Sequence, residues 1–326
     1  MSKSARSGHR GRAVANLSRR TFGIGLTLSA IAGCNRAADR RLGPSGAQDK
    51  GPTAGSRAEP EDEGEPSVVM PVGFVGHGAP TLAFDQDKGA DLLGWARTMP
   101  RPSAILVISA HWQTAGPALG STQRRPLIYD FSGFPRRLYE VEYRSPGAPD
   151  LAAQVTSLLA GLAPVERSEG RGLDHGVWVP LLHLQPKADV PVLQLSLPRW
   201  SPKQLFDLGR RLAPLRSEGV LILGSGNLTH NLRMLGVGDS PQTPTWARDF
   251  DAWIAHTLDE RKIDQLLSYR SQAPSLSMAH PTEEHFQPLL VAAGAATGMG
   301  SAWSPPTYPV TGFEYAHISR RCVRFG

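Results

Sequence analysis

The residues best equipped for chemistry in this chain are its histidines. There are ten, and five of them sit where a ligand site would need them. His77 closes the apolar run 68–76, His111 follows the run 104–110, and His230 follows the run 220–224 by way of Ser225, Gly226 and Asn227. Short apolar runs of this kind predict buried strands. In open α/β sheets the carboxyl ends of the strands line the binding crevice. Three imidazoles delivered to one sheet edge therefore form a candidate site. His175, in Leu173-Asp174-His175-Gly176, and His285, in His280-Pro281-Thr282-Glu283-Glu284-His285, add two more from loops or a helix start. Imidazole suits Fe, Zn, Cu and Ni. Two histidines plus a third ligand, with positions left open, can hold an organic substrate and O2 together at Fe(II).

The elements that must position these groups are legible as periodicity. Strands are predicted at 68–76, 104–110, 191–197 and 220–224. Ser201-Pro202 predicts the cap and first turn of a helix whose Leu205, Leu208, Leu212 and Leu215 share one face. Further helices are expected at 150–162, 245–258 and 283–296. Strands alternating with helices predict a single three-layer α/β/α domain around a mostly parallel or mixed sheet.

Six segments carry a more specific signal: GHGAPTL, ISAHWQT, YDFSGFPRRLYEVEY, GLDHGVWVPL, GSGNLTHNLR and HPTEEHFQPLL. In this order they resemble the class III extradiol ring-cleaving dioxygenases, in the branch that contains the DOPA 4,5-dioxygenases. The resemblance runs from about residue 71 to the C-terminus. It implies an oxidoreductase that inserts both atoms of O2 into a catechol-type, DOPA-like substrate at a non-haem metal. That metal would be Fe(II) in the active form, with Zn able to take the same site. The resemblance also implies His77 and His111 as metal ligands, with His285 as the third and Glu284 as the alternative. His230 would be the acid/base histidine near the metal, and an extra ligand when substrate is absent. His175 would be a second proton-handling histidine. A catechol must lose protons to chelate a metal, and a neutral imidazole nearby can accept one. Asp130, Phe131 and Phe134 are candidates for the ring pocket, and Ser225 and Asn227 for hydrogen bonds to substrate. His183, His256 and His317 fall in no motif and are expected to be structural or on the surface. His280, before Pro281, is expected in a turn.

Two rival classes use the same residues. A zinc-dependent hydrolase could place Glu283 or Glu284 beside the metal to activate water. A non-catalytic envelope metal-binding protein could retain the fold without turnover, although every motif histidine is present. Metal identity separates the dioxygenase from the hydrolase.

The first 66 residues read differently. Ser18-Arg19-Arg20-Thr21-Phe22 precedes the weakly apolar run 23–32, the pattern of a twin-arginine export signal. That run is too short to span a bilayer, which takes about 20 residues. It ends in Ile31-Ala32-Gly33-Cys34, which resembles a bacterial lipobox with Cys34 as the lipidated residue. Residues 35–66 have no apolar periodicity and predict a flexible tether. The expected organisation is an export leader over 1–34, a linker over 35–66 and a catalytic domain over 67–326. The expected location is the bacterial cell envelope, with a lipid as the membrane contact. The formal charge of +6 belongs to this leader, since residues 1–33 hold six of the 35 basic residues and no acidic one. The remainder is formally neutral, which removes the electrostatic case for nucleic acid. Cys322 is left without a partner, so no disulfide framework is expected.

Overall fold

The computed structural model describes residues 69–236, 242–298, 303 and 305–326. The arginine pair, Cys34 and the tether lie outside the described residues, as does the proposed boundary at 67. The strands are β1 (Val72–Gly76), β2 (Ala104–Thr114), β3 (Ala118–Leu119), β4 (Glu166–Arg167), β5 (Val192–Pro198) and β6 (Val220–Gly226). A small hairpin, β7 (Phe313–Glu314) and β8 (Ile318–Ser319), precedes β9 (Val323–Phe325).

Seven of these strands form one sheet in the order β4-β3-β5-β2-β6-β1-β9. The central four, β5, β2, β6 and β1, are mutually parallel. β3 joins β5 and β9 joins β1 in the antiparallel sense. The carboxyl ends of β1, β2 and β6 therefore share an edge. Side chains alternate across the sheet, as the strand period requires. Ile105, Val107, Leu221 and Leu223 enter one core, and Leu106, Ile108, Val220 and Ile222 the other. Both faces are apolar because helices cover both, the usual state of a parallel sheet.

The helices are α1 (Gln86–Ala96), α2 (Pro149–Leu159), α3 (His175–Leu184), α4 (Pro202–Leu212) and α5 (Thr245–Asp259). Three short turns follow, α6 (Ile263–Leu267), α7 (Tyr269–Gln272) and α8 (Leu276–Ala279), and then α9 (Pro288–Thr297). α1 and α3 supply Leu92, Trp95, Trp178 and Leu181 to one core. α4 and α9 supply Leu205, Leu208, Leu289 and Val291 to the other. The arrangement is a single α/β domain. The cap expected at Ser201 is a full capping box with Gln204. Cys322 is buried and unpaired. Among the described residues no helix is long and apolar enough to cross a membrane.

Two expectations about element ends are corrected. β2 does not stop at Ala110 but continues to Thr114, with His111 inside it. Its pairing with β5 shifts register between Ile108 and Gln113. An irregularity of that kind re-aims side chains without ending the strand. The helix expected from residue 283 starts at Pro288 instead. Proline suits the first helical position because its missing N–H is unpaired there in any case. His285 therefore sits in a run of turns ahead of α9.

α4 and α9 approach until backbone meets backbone. A Cβ on Gly209 would stand 2.0 Å from the Val291 carbonyl oxygen, and one on Gly294 would stand 2.0 Å from that of Phe206. α9 in turn packs on β6 and β1, so it cannot yield without leaving the sheet. Gly209→Ala should lower stability by about 2 kcal/mol or more, read as a fall in the urea midpoint. An unchanged midpoint would show that the helix pair tolerates separation.

Candidate active site

The parallel core carries its histidines to one edge. His77 follows β1 directly, His111 projects from the irregular stretch of β2, and His175 opens α3. His230 lies four residues beyond β6, and His285 comes from the turns before α9. These five imidazoles line one cavity of about 640 Å³. Its wall also includes Asp130, Phe131, Phe134, Arg233, Glu284 and Tyr315.

Each ring is held by a hydrogen bond at Nδ1 where a partner exists. Ser225 Oγ donates to the Gly176 carbonyl at 2.5 Å, so toward His77 Nδ1, at 2.9 Å, it acts as acceptor. His77 then carries its proton on Nδ1. The Asp130 carboxylate lies 3.4 Å from His111 Nδ1 and 2.8 Å from His175 Nδ1, and it also accepts from the His175 backbone N–H at 3.0 Å. His285 Nδ1 donates to Glu284 Oε1 at 3.0 Å. The Nε2 atoms are thereby left as lone pairs. Those of His77 and His111 face each other at 3.2 Å. His285 Nε2 is buried with no partner at all.

That pattern fits a metal ion. Facing lone pairs repel, and an unpaired buried acceptor costs about 1–3 kcal/mol. A divalent cation removes both penalties. Ligating histidines almost always tie their other ring nitrogen to a carboxylate, carbonyl or similar group. The ligand atoms fall into two groups, His77 with His111 and His175, and His230 with Glu284 and His285, each within 4.8 Å. The groups adjoin, since the His285 ring lies 4.9 Å from that of His111 and 5.4 Å from that of His77. His230 stacks on His285 at 3.5 Å.

Gly176 makes the approach of α3 possible. A Cβ there would meet Ser109 Oγ at 2.5 Å and His111 Cδ2 at 2.9 Å. Behind it, Asp174 is fully buried and accepts from Ser109 Oγ at 2.7 Å, Gln194 Nε2 at 2.5 Å and Arg171 Nη2 at 3.1 Å. Ser109 Oγ also accepts from the His111 backbone N–H at 3.2 Å. One carboxylate thus ties the irregular stretch of β2 to the start of α3.

The sequence-predicted residues divide. His77, His111, His175, His230 and His285 come together, and Asp130 and Phe134 reach the cavity with Phe131. Asp130 does more than line it, because its oxygens hold two imidazoles. Ser225 and Asn227 stand behind the wall, not on it. Ser225 orients His77, and Asn227 Nδ2 donates to the Ser319 carbonyl. Their expected role as substrate contacts is therefore corrected. Glu284 holds His285, a task distinct from the ligand role given it as alternative. His183, His280 and His317 bind the carbonyls of Leu82, Leu228 and Asn231, and His256 is exposed. Arg233 and Tyr315 were missed. Arg233 was visible in GSGNLTHNLR, three residues past His230, whereas Tyr315 comes from the β7–β8 turn and carries no motif signal.

The fold and cavity define the class: an α/β enzyme with an imidazole cluster suited to a non-haem metal. The chain belongs to the family described as the catalytic LigB subunit of aromatic ring-opening dioxygenase, which matches residues 75–325. It is an extradiol ring-opening dioxygenase by that membership and by its relatives. It is 43% identical over 230 residues to a 4,5-DOPA dioxygenase extradiol of Beta vulgaris, covering 68% of this chain and 85% of the relative. It is 38% identical over 268 residues to a protein of the same name from Escherichia coli K12, covering 80% and 96%. The crystal structure of an uncharacterised Escherichia coli K12 protein superposes with a TM-score of 0.65 at 34% identity, covering 79% of this chain and all of that one.

Burial favours the neutral form of four clustered imidazoles, His77, His111, His230 and His285. It is the largest cause of the lowered pKa of His77, His285, His111 (to about 3), His230 (to about 4) and His280 (to about 4), and neighbouring imidazoles add to it at all but His280. Burial pushes Asp130 up, but its hydrogen bonds to the ring and backbone of His175 and its attraction to the neighbouring imidazoles, when protonated, outweigh that and bring it to about 2. The unfolded chain takes up imidazole protons near pH 6.5, whereas in the folded chain these five buried rings do so only at lower pH. The unfolded state thus gains protons first as pH falls. Stability of the metal-free protein should be flat above about pH 7 and decline between about 6.5 and 4, by up to about 1.4 kcal/mol per pH unit for each imidazole. Urea denaturation across that range checks it. Equal midpoints at about pH 7.5 and 5 would mean the rings are not buried neutral.

Proposed function

We propose that this enzyme opens the ring of a DOPA-like catechol at Fe(II) held by His77, His111 and His285. The observation that carries this reading is the convergence of these three rings on one cavity, with Nδ1 of His77 held by Ser225 and Nδ1 of His285 by Glu284. When bound, the ferrous ion would supply the redox chemistry that brings a catecholate and O2 together. Zinc fits the same nitrogens but lacks that chemistry.

The rest falls to the chain's own groups. Phe131 and Phe134 meet edge to face at 5.4 Å and form an apolar wall for an aromatic ring. Phe131 also contacts His175 edge to face, at 5.6 Å. His175 takes a hydroxyl proton at Nε2, and the Asp130 carboxylate at its Nδ1 stabilises the resulting imidazolium. Among the described residues no carboxylate hydrogen-bonds to His230, and burial disfavours its charged form. It is suited to passing a proton on. Sequestering the reacting groups in one cavity fixes their relative positions before reaction.

We propose in addition that the chain acts in the bacterial envelope, exported by the twin-arginine route and tethered through lipid on Cys34. Support for this comes from the order of the arginine pair, the short apolar run and the lipobox-like segment. Export of an already folded protein would allow the metal to be loaded beforehand.

Protein reconstituted anaerobically with Fe(II) should consume O2 with DOPA and produce a yellow ring-opened chromophore, and a zinc-loaded sample should not. His175→Ala and His230→Ala should keep their iron and lose about 10²–10⁴ in kcat. Ser225→Ala should weaken metal binding by about 10–100-fold, because His77 loses the acceptor that fixes its tautomer. Bound iron with no O2 uptake across a panel of catechols would favour the hydrolase reading.

A further inference from the structure

We propose that Arg233 receives a carboxylate on the substrate, so that the enzyme selects catechol acids over neutral or cationic catechols. This rests on the catechol reading above. A cavity of about 640 Å³ falls in the range that holds a drug-sized ligand and leaves room for a substituent beside the diol ring. The imidazoles take the diol end. What the remaining wall can recognise depends on its free charges.

Three of the described wall residues carry a formal charge. Asp130 is engaged by His111 and His175, and Glu284 by His285 and the Thr282 hydroxyl. Arg233 is the third, and among the described residues the wall holds no other Lys or Arg. Among the described residues its guanidinium makes no ion pair and no hydrogen bond, although its backbone is pinned. Asn231 Oδ1 accepts from the Arg233 N–H at 3.1 Å. Asn231 is itself buried, donates through Nδ2 to the Met278 carbonyl at 2.7 Å, and accepts at its own carbonyl from His317 Nε2 at 3.0 Å. The base of the arginine is thus fixed, while its exposed side chain belongs to the cavity wall with the planar donor fork unpaired among the described residues. That fork matches a carboxylate with two parallel hydrogen bonds. An ammonium group in the same place would be repelled.

Three catechols that share a two-carbon chain differ in what ends it: dihydrocaffeate (a carboxylate), ethylcatechol (no charged group) and dopamine (an ammonium). With the Fe(II)-reconstituted full chain, kcat/KM should be about tenfold higher for dihydrocaffeate than for ethylcatechol, with dopamine lowest. Arg233→Met should bring the acid-to-neutral ratio near one, mainly by raising KM for the acid. Arg233→Lys should keep part of the ratio, and Arg233→Glu should place dopamine ahead of dihydrocaffeate. An unchanged ratio in Arg233→Met overturns the proposal. So does an equal fall for all three catechols, which would show a structural role only. Absence of ring opening with every catechol, iron being bound, overturns the catechol reading and this inference with it.

Discussion

Nitrogen lone pairs repel one another, and this fold forces several of them toward one place. The cost is met by controlling protons. Every ring whose Nδ1 is given to a hydroxyl or carboxylate must present a bare Nε2 to the cavity. Ser225, Asp130 and Glu284 are therefore as much part of the centre as the imidazoles. Burial strengthens the arrangement, because it removes the alternative in which a ring relieves repulsion by taking up a second proton. The same low polarity sharpens each hydrogen bond that holds a ring in place.

This constraint explains features that otherwise look like accidents of the chain. The irregular stretch of β2 turns His111 to face His77, and Gly176 lets α3 pack against it. Asp174 binds both segments from beneath, buried with its hydrogen bonds filled. On the far side, the Asn227 N–H donates to the His285 carbonyl at 3.0 Å, which fastens the turns before α9 to the end of β6. Rigid sheet, tight helix contacts and side-chain positions are one structure at different scales.

Much of this was legible in the sequence, for a physical reason. Strand-end histidines can be read because a buried strand announces itself by apolar content and a following imidazole breaks the pattern. His77, His111 and His230 were found in that way, and the capping box at Ser201 by its local chemistry. What escaped was set by contacts distant in sequence. Nothing near Ser225 says that its hydroxyl faces His77 and not a substrate. The two-sided use of Asp130 depends on β2 and α3 arriving together. The late start of α9 follows from Pro288, which was in view, but the turns before it are held by β6. Tyr315 reaches the wall through a hairpin with positive φ at two non-glycine residues, a geometry no motif announces.

The pairing of β1 carries a consequence for how the centre comes into being. The strand that delivers His77 has only two neighbours, β6 and β9, so Val72 finds its partners at Ile222 and Phe325. During synthesis the first histidine waits without a sheet to anchor it while most of the domain is still being made. Contacts so distant along the chain form late and slowly. A half-made polypeptide thus offers a passing ion scattered imidazoles and no organised cage, and selective capture becomes a property of the finished domain alone.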